Sequence, residues 1–368
     1  MCALYVGIMS GTSLDGIDIA LSRFDPKKQH ADCLDAICCP LPEDLKQQLL
    51  SLCSSADDEI VRAGRAGIAW ATLAAAGVIQ LLRQNQLHPS DIRAIGSHGQ
   101  TIRHHPELGF SQQIGAPALL AEQTGINVIS DFRSRDLAAG GEGAPLVPAF
   151  HSWLLSDPEH TRTLINIGGF ANLSIMRPGM TPAGFDSGPG NALMDSWIQQ
   201  HKGLAFDEGG SWARTGRVIP ELLQAMLSDP YFSRSAPKST GREYFNPHWL
   251  STFIASQPKE LHSEDVQATL LALTAHSIAD SVAVAASEST SVYLCGGGAR
   301  NTLLLEQLQT LLKHRQVRTT AALGVDPDWM EAIAFAWLAW RFDERLPGNL
   351  PSVTGARGER ILGALYPA

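Results

Sequence analysis

The sequence predicts an α/β fold built in two halves, and three observations predict it. Strand-like and helix-like patterns alternate along the chain. Two segments, one opening each half, read as strand, glycine turn, strand. A chain of 368 residues, 44% apolar and 18% charged, is long enough for two packed domains, each with its own core.

In the first half, Leu4–Met9 is a short buried-strand pattern, followed by the turn Ser10-Gly11-Thr12-Ser13-Leu14-Asp15-Gly16. Ile17–Phe24 then alternates apolar and polar residues, and Asp32–Cys39 is a third strand. Apolar residues recur every three and four positions over Pro42–Leu52 and Ile60–Gln84, which predicts helices. Strands follow at Ile92–Gly96 and Asn127–Ser130, with a helix starting near Pro117 between them. The polar, glycine-rich stretch Asp131–Pro145 reads as a long functional loop.

The second half opens with strand Leu164–Ile167, turn Gly168-Gly169-Phe170-Ala171 and strand Asn172–Met176. Helical periodicity covers Asn191–Gln200, Pro220–Ser228, Asp265–Ala286, Thr302–Lys313 and Trp329–Phe342. Val292–Cys295 is a short strand ending in Gly296-Gly297-Gly298, and the tail Leu346–Ala368 reads as ordered coil. The domains are drawn at residues 1–130, completed by 345–368, and at 131–344.

A net charge of −9 argues against general nucleic-acid binding, which needs excess Lys and Arg. It leaves room for a nucleotide held by backbone N–H groups. Cys2, Cys33, Cys38, Cys39, Cys53 and Cys295 form no C-x-x-C pair and read as reduced, mostly buried residues. No basic region precedes the apolar Ala3–Met9, as a signal peptide would require, and no uninterrupted apolar run approaches the ~18–20 residues that span a bilayer. The expectation is a cytoplasmic protein without membrane or nucleic-acid partners.

Six segments carry residues suited to chemistry. Glycines in Gly11–Asp18 let backbone N–H groups and hydroxyls face a phosphate, although the segment equally suits a plain hairpin turn. Neither a P-loop nor a G-x-S-x-G elbow is present. Asp186, in Gly184–Asn191, is a candidate base on a turn before a helix that Asn191 would cap; local backbone bonding is its other reading. Ser97 and His98 follow a strand, where open α/β sheets place ligands, although a structural histidine is the other reading of His98. Arg133 and Arg135 belong to a charged loop suited to a carboxylate or to surface ion pairs. Gly296, Gly297 and Gly298 permit close approach of a ring or phosphate, or form a plain strand-to-helix corner. Glu331 lies in the first turn of a helix.

Taken in order, Met9–Asp18, Gly96–Thr101, Asp131–Phe150, Asn166–Asn172, Gly184–Asn191, Pro237–Tyr244, Gly296–Asn301, Met330–Trp337 and Asn349–Ala356 resemble the anhydro-N-acetylmuramic acid kinase family over nearly the whole chain. The resemblance implies an actin-like duplicated fold with an interdomain cleft and an ATP-dependent kinase. That kinase opens the 1,6-anhydro ring and phosphorylates O6 in cell-wall recycling. It implies that Gly11, Thr12, Ser13, Leu14, Asp15, Gly16, Ile17 and Asp18 hold ATP phosphates with Gly168 and Gly169, and that Gly296–Gly298 lie near the adenosine. Magnesium would be met through water by Asp15 or Asp18. Asp186 matches the family's catalytic base, while Ser97, His98, Arg135 and Glu331 fall to the sugar. A homodimer is also implied. Ser187 stands where the family usually has threonine, Ser134 where arginine is common, and Gly209 where Asp or Asn is frequent, which leaves the part played by the Asp207 segment open. Two other readings remain: a kinase of an ordinary sugar hydroxyl, and a non-catalytic ATP-binding module.

Overall fold

The computed structural model describes residues 3–11, 14, 16–236, 238–242, 244–258 and 261–368; Thr12, Ser13 and Asp15 of the first glycine turn lie outside them. The strands of the first half are β1 (Leu4–Met9), β2 (Gly16–Asp25), β3 (His30–Pro40), β4 (Ile92–Ser97), β5 (Gln100–His105), β6 (Phe110–Ile114) and β7 (Val128–Ser130). Then come β8 (Arg162–Ile167), β9 (Phe170–Met176), β10 (Ala183–Pro189), β11 (Ser291–Cys295), β12 (Gln316–Thr319) and, near the C-terminus, β13 (Ala364–Tyr366).

The chain divides into two compact units: Met1–Leu154 with Leu323–Val325 and Trp329–Ala368, and Leu155–Ala322 with Asp326–Asp328. Their sheets run β3-β2-β1-β4-β7, extended by β13, and β10-β9-β8-β11-β12. In each, the first three strands pair antiparallel and the next two join in parallel. The same topology thus occurs twice, as the duplicated actin-like expectation requires.

The boundary expected at 130/131 is displaced. Segment 131–154 and helix Met330–Asp343 belong to the first unit. The reason is aromatic packing: Phe150 and Trp153 of helix Val147–Leu155 lie with ring centroids 5.7–6.1 Å from Phe24, Trp337 and Trp340.

Alternation along β1 explains how the first sheet is covered. Val6 and Ile8 join one apolar cluster with Trp70, Ala71, Ala74 and Val78 of helix Glu59–Gln84. Gly7 faces the other way, and a Cβ there would lie 1.8 Å from the Ala332 carbonyl oxygen. Gly96, its partner in β4, would put a Cβ 2.0 Å from the Phe335 carbonyl oxygen. This glycine pair lets helix Met330–Asp343 lie with its backbone on the sheet, which fixes the position of Glu331 in its first turn.

Several elements differ from expectation. The Asp186 segment is not a turn but the edge strand β10, bulged between Asp186 and Gly188. Asn191 does not cap helix Ala192–Lys202; its amide donates to the Ile167 carbonyl instead. The 131–145 stretch contains helix Ser134–Ala138, and the tail forms β13. Helices Glu59–Gln84 and Ser263–Ala285 do reach a mean hydropathy of 1.4 over 18 residues, enough in length and composition to cross a bilayer. Their interruption by charged and polar residues hid this, and 56% and 67% of those windows are buried within the protein, as in core helices. Of the described cysteines only Cys39 and Cys295 are buried; Cys33 is half-buried, and Cys38 and Cys53 are exposed on their elements.

Candidate active site

In the second unit, one register row crosses the sheet: Cys295 pairs with Asn166, Asn166 with Asn172, and Asn172 with Asp186. The row lies next to the turn Gly168-Gly169, which joins β8 to β9. Asn172 Nδ2 donates to Asp186 Oδ1 at 2.9 Å, and the Thr240 N–H donates to Oδ2 at 3.0 Å. The backbone is held on both sides, since Asp186 N–H donates to the Lys238 carbonyl and the Tyr231 hydroxyl to the Asp186 carbonyl. Both carboxylate oxygens are therefore oriented, yet each keeps a further lone pair for an incoming proton.

The glycine turn is braced by the start of helix Ala192–Lys202. The N–H groups of Asn191 and of Gly190 and Ala192 donate to the carbonyls of Gly168 and Gly169 respectively, at 2.8–3.1 Å. Gly296 adopts φ +77, and a Cβ there would meet Asn166 Oδ1 at 2.3 Å; one on Gly298 would meet Ile167 Cγ2 at 2.3 Å. Close approach to the end of β8 thus requires both glycines. Gly297 is exposed. The second unit brings Gly168, Gly169, Asp186 and Gly296–Gly298 to one end of one sheet.

The first unit gathers a second polar group. Asp18 pairs with Met9 at the open end of β1 and β2, and Ser97 ends β4. His98 is buried, its N–H bonded to the Ile8 carbonyl, and Arg133 Nη2 donates to His98 Nε2 at 2.8 Å. Arginine offers no acceptor, so Nε2 must accept, and the neutral ring carries its proton on Nδ1. Burial, with Arg133 adding to it, pushes the His98 pKa down to about 3. Burial likewise lowers Arg133 to about 10, so it stays charged at neutral pH. Glu331 is reachable by solvent, yet its pKa is raised, because surrounding protein strips part of its hydration and Asp18 repels its charge; Arg133 opposes the shift.

A polar cavity of about 250 Å³ adjoins this group, lined among others by His98, Gln113, Ser130, Asp131 and Ser134. Leu14 and Ile17 bury their side chains in the core, so only their backbone is available to a ligand. Leu14 has φ +56, a strained conformation for a leucine. Arg135 stands exposed on helix Ser134–Ala138, apart from the His98 contact that Arg133 makes. Asn172 and Thr240 are not among the sequence candidates, and Arg133, named there only as one of two arginines of a charged loop, proves to be the one packed on His98. The signal for Asn172 was its symmetry with Asn166 about Gly168-Gly169. Asp207 accepts from the N–H groups of Trp212 and Ala213 at 2.8 and 2.9 Å, which gives that segment a structural part as a turn cap.

A sheet repeated twice, with an antiparallel hairpin opening each copy and an oriented carboxylate at the end of one, defines an α/β protein of the duplicated, actin-like class. The sequence profile described as "Anhydro-N-acetylmuramic acid kinase" matches residues 3–368. Proteins of that name are 53% identical over 365 residues in Pseudomonas fluorescens (strain Pf0-1) and 54% over 364 residues in Pseudomonas paraeruginosa, covering 99% of this chain and of each relative. The namesake in Chromobacterium violaceum is 49% identical over 367 residues, covering all of both chains. The chain belongs to the anhydro-N-acetylmuramic acid kinase family and is a kinase acting on a small molecule.

Proposed function

We propose that the protein uses ATP to convert 1,6-anhydro-N-acetylmuramic acid into N-acetylmuramic acid 6-phosphate and ADP, with Asp186 as the base. The observation that carries this reading is the carboxylate of Asp186, oriented through both oxygens beside Gly168-Gly169 and the Gly296–Gly298 corner. O6 of the sugar is tied to C1, so it becomes a nucleophile only as the ring opens. Asp186 takes a proton from water, and the water oxygen bonds to C1. The C1–O6 bond breaks with its electron pair left on O6, O6 bonds to the γ-phosphorus, and ADP departs with the other pair. The γ-phosphoryl group captures the leaving oxygen, so no second carboxyl need protonate it, unlike in most glycosidases.

Family resemblance assigns Gly11, Thr12, Ser13, Leu14, Asp15, Gly16, Ile17, Gly168 and Gly169 to the phosphates, where the Leu14 and Gly168 N–H groups already donate to the Gly11 and Phe170 carbonyls. Gly296–Gly298 suit the adenosine. A magnesium ion would be met through water by Asp18, which is half-buried, or by Asp15, and otherwise by phosphate oxygens. Such an ion would neutralise developing phosphate charge. Ser97, His98, Arg135 and Glu331 form the sugar side, the guanidinium of Arg135 meeting the lactyl carboxylate. The reaction belongs to cell-wall recycling in the cytoplasm, and the protein acts as a homodimer.

The test is turnover in heavy-oxygen water, quenched before the anomeric oxygen exchanges. Mass spectrometry should find one label at C1 of the product. An unlabelled sugar phosphate would mean phosphorylation of an ordinary hydroxyl, and the coupled ring opening would fall.

A further inference from the structure

Asp136 is a carboxylate with no solvent exposure that the reaction does not use. Asn349 Nδ2 and the Thr354 hydroxyl each donate to its Oδ1 at 2.8 Å, and the Gly143 N–H donates to Oδ2 at 2.9 Å. The loop is shaped around this carboxylate. Gly141 passes so close that a Cβ would lie 2.3 Å from Oδ2, and Gly143 takes φ +68, in the left-handed region. Two more bonds tie the loop to the C-terminal segment: Glu142 N–H to the Thr354 carbonyl at 2.7 Å, and Arg357 N–H to the Ala139 carbonyl at 2.9 Å.

From Gly143 the chain of contacts continues outward. Arg133 Nη1 donates to the Gly143 carbonyl at 2.8 Å, and Nη2 of the same guanidinium donates to His98 Nε2 at 2.8 Å. A planar guanidinium with one edge fixed on a carbonyl has little freedom to aim the other. We propose that Asp136 is a positioning residue: through Gly143 and Arg133 it fixes the tautomer of His98, and the segment Asn349–Gly358 is the outer support of that relay. Gly141 and Gly143 then serve to wrap a buried carboxylate, and the C-terminal segment keeps its Asn and Thr to supply donors. The consequence for turnover rests on the proposed placement of the sugar at His98; the relay itself does not.

The experiment uses the full chain labelled with ¹⁵N-histidine, His98 being assigned by its loss in His98→Asn. Wild type at neutral pH should give a neutral His98 ring protonated on Nδ1. In Asp136→Asn an amide NH2 replaces one carboxylate oxygen and faces a donor, Gly143 shifts, and the ring should move toward the Nε2–H tautomer. The KM for the sugar should rise about tenfold, as for loss of a bond to a charged group, with the KM for ATP unchanged. Thr354→Val, which removes one donor of three, should move both readouts in the same direction by a smaller step. It carries the test alone should Asp136→Asn not fold. An unmoved His98 tautomer in the folded variant overturns the relay. A moved tautomer with an unmoved sugar KM upholds the relay and overturns the placement of the sugar at His98.

Discussion

Asn172 donates its side-chain amide to Asp186 Oδ1 at 2.9 Å, from the position directly opposite on the neighbouring strand. The pair is a cross-strand contact in which the amide orients the carboxylate proposed as the base. Asn172→Leu keeps the approximate size and removes the donor. Turnover is expected to fall about tenfold to a hundredfold, as for loss of a hydrogen bond to a charged group. KM for ATP should stay near wild type. Steady-state kinetics with wild-type turnover would remove Asn172 from the site.

Asp186→Asn goes one step further, because an amide cannot accept the proton of water. Its oxygen can still accept one of the two bonds from Asn172 and Thr240, so the strand should keep its place. The expected result is a loss of at least about a hundredfold in turnover, with an ATP analogue bound as tightly as before in calorimetry. Wild-type-like release of ADP would dismiss Asp186 as the base.

Why was so much of this architecture readable, and the Asp186 strand not? The strands β1, β2, β8 and β9 alternate or run apolar and are closed by glycine turns, so local sequence determines them. β10 carries Gly184, Asp186, Ser187 and Gly188 and becomes a strand because β9 supplies hydrogen-bond partners, which no local pattern reveals. Arg133 and Arg135 are two residues apart in a charged loop, and only the fold separates them: one is packed on His98, the other exposed. The role of Asp136 leaves no local pattern because its partners, Asn349 and Thr354, are over 200 positions away. Long-range polar contacts leave little trace in spacing.

Arg135 forms none of the ion pairs among the described residues and stands exposed, which leaves its fork available to a carboxylate. Arg135→Lys keeps the charge and removes the two-pronged geometry. The KM for the sugar is expected to rise about tenfold while that for ATP stays constant. An equal rise in both, or in neither, would assign the lactyl carboxylate to another residue.

Gly7 and Gly96 face each other on β1 and β4 beneath the backbone of helix Met330–Asp343. Gly96→Ala would force a methyl group against the Phe335 carbonyl, and neither backbone can give without lifting the helix. A destabilisation of about 3 kcal/mol or more is expected, at the upper end of overpacking costs. Displacement of Glu331 should also raise the sugar KM in whatever fraction folds. A urea midpoint within error of wild type would mean that the helix does not bear on these glycines.

Acid should unfold this protein earlier than its carboxylates alone would require, because His98 and His151 are both buried with their pKa values pushed down to about 3 by loss of hydration. An unfolded imidazole titrates near 6.5, so between those values the unfolded chain binds more protons than the folded one. The stability is fully present above about pH 6.5 and is lost progressively as pH falls toward 3, by up to about 1.4 kcal/mol per pH unit for each ring. His151 isolates the effect, since neither ring nitrogen meets a hydrogen-bond partner among the described residues. His151→Leu removes two buried polar atoms without breaking a bond, so at pH 7.5 its urea midpoint should match or exceed wild type. At pH 5.5 the gap should widen in favour of the variant, because the proton-linked loss at His151 is gone. Parallel midpoints at the two pH values would show that His151 does not titrate on unfolding.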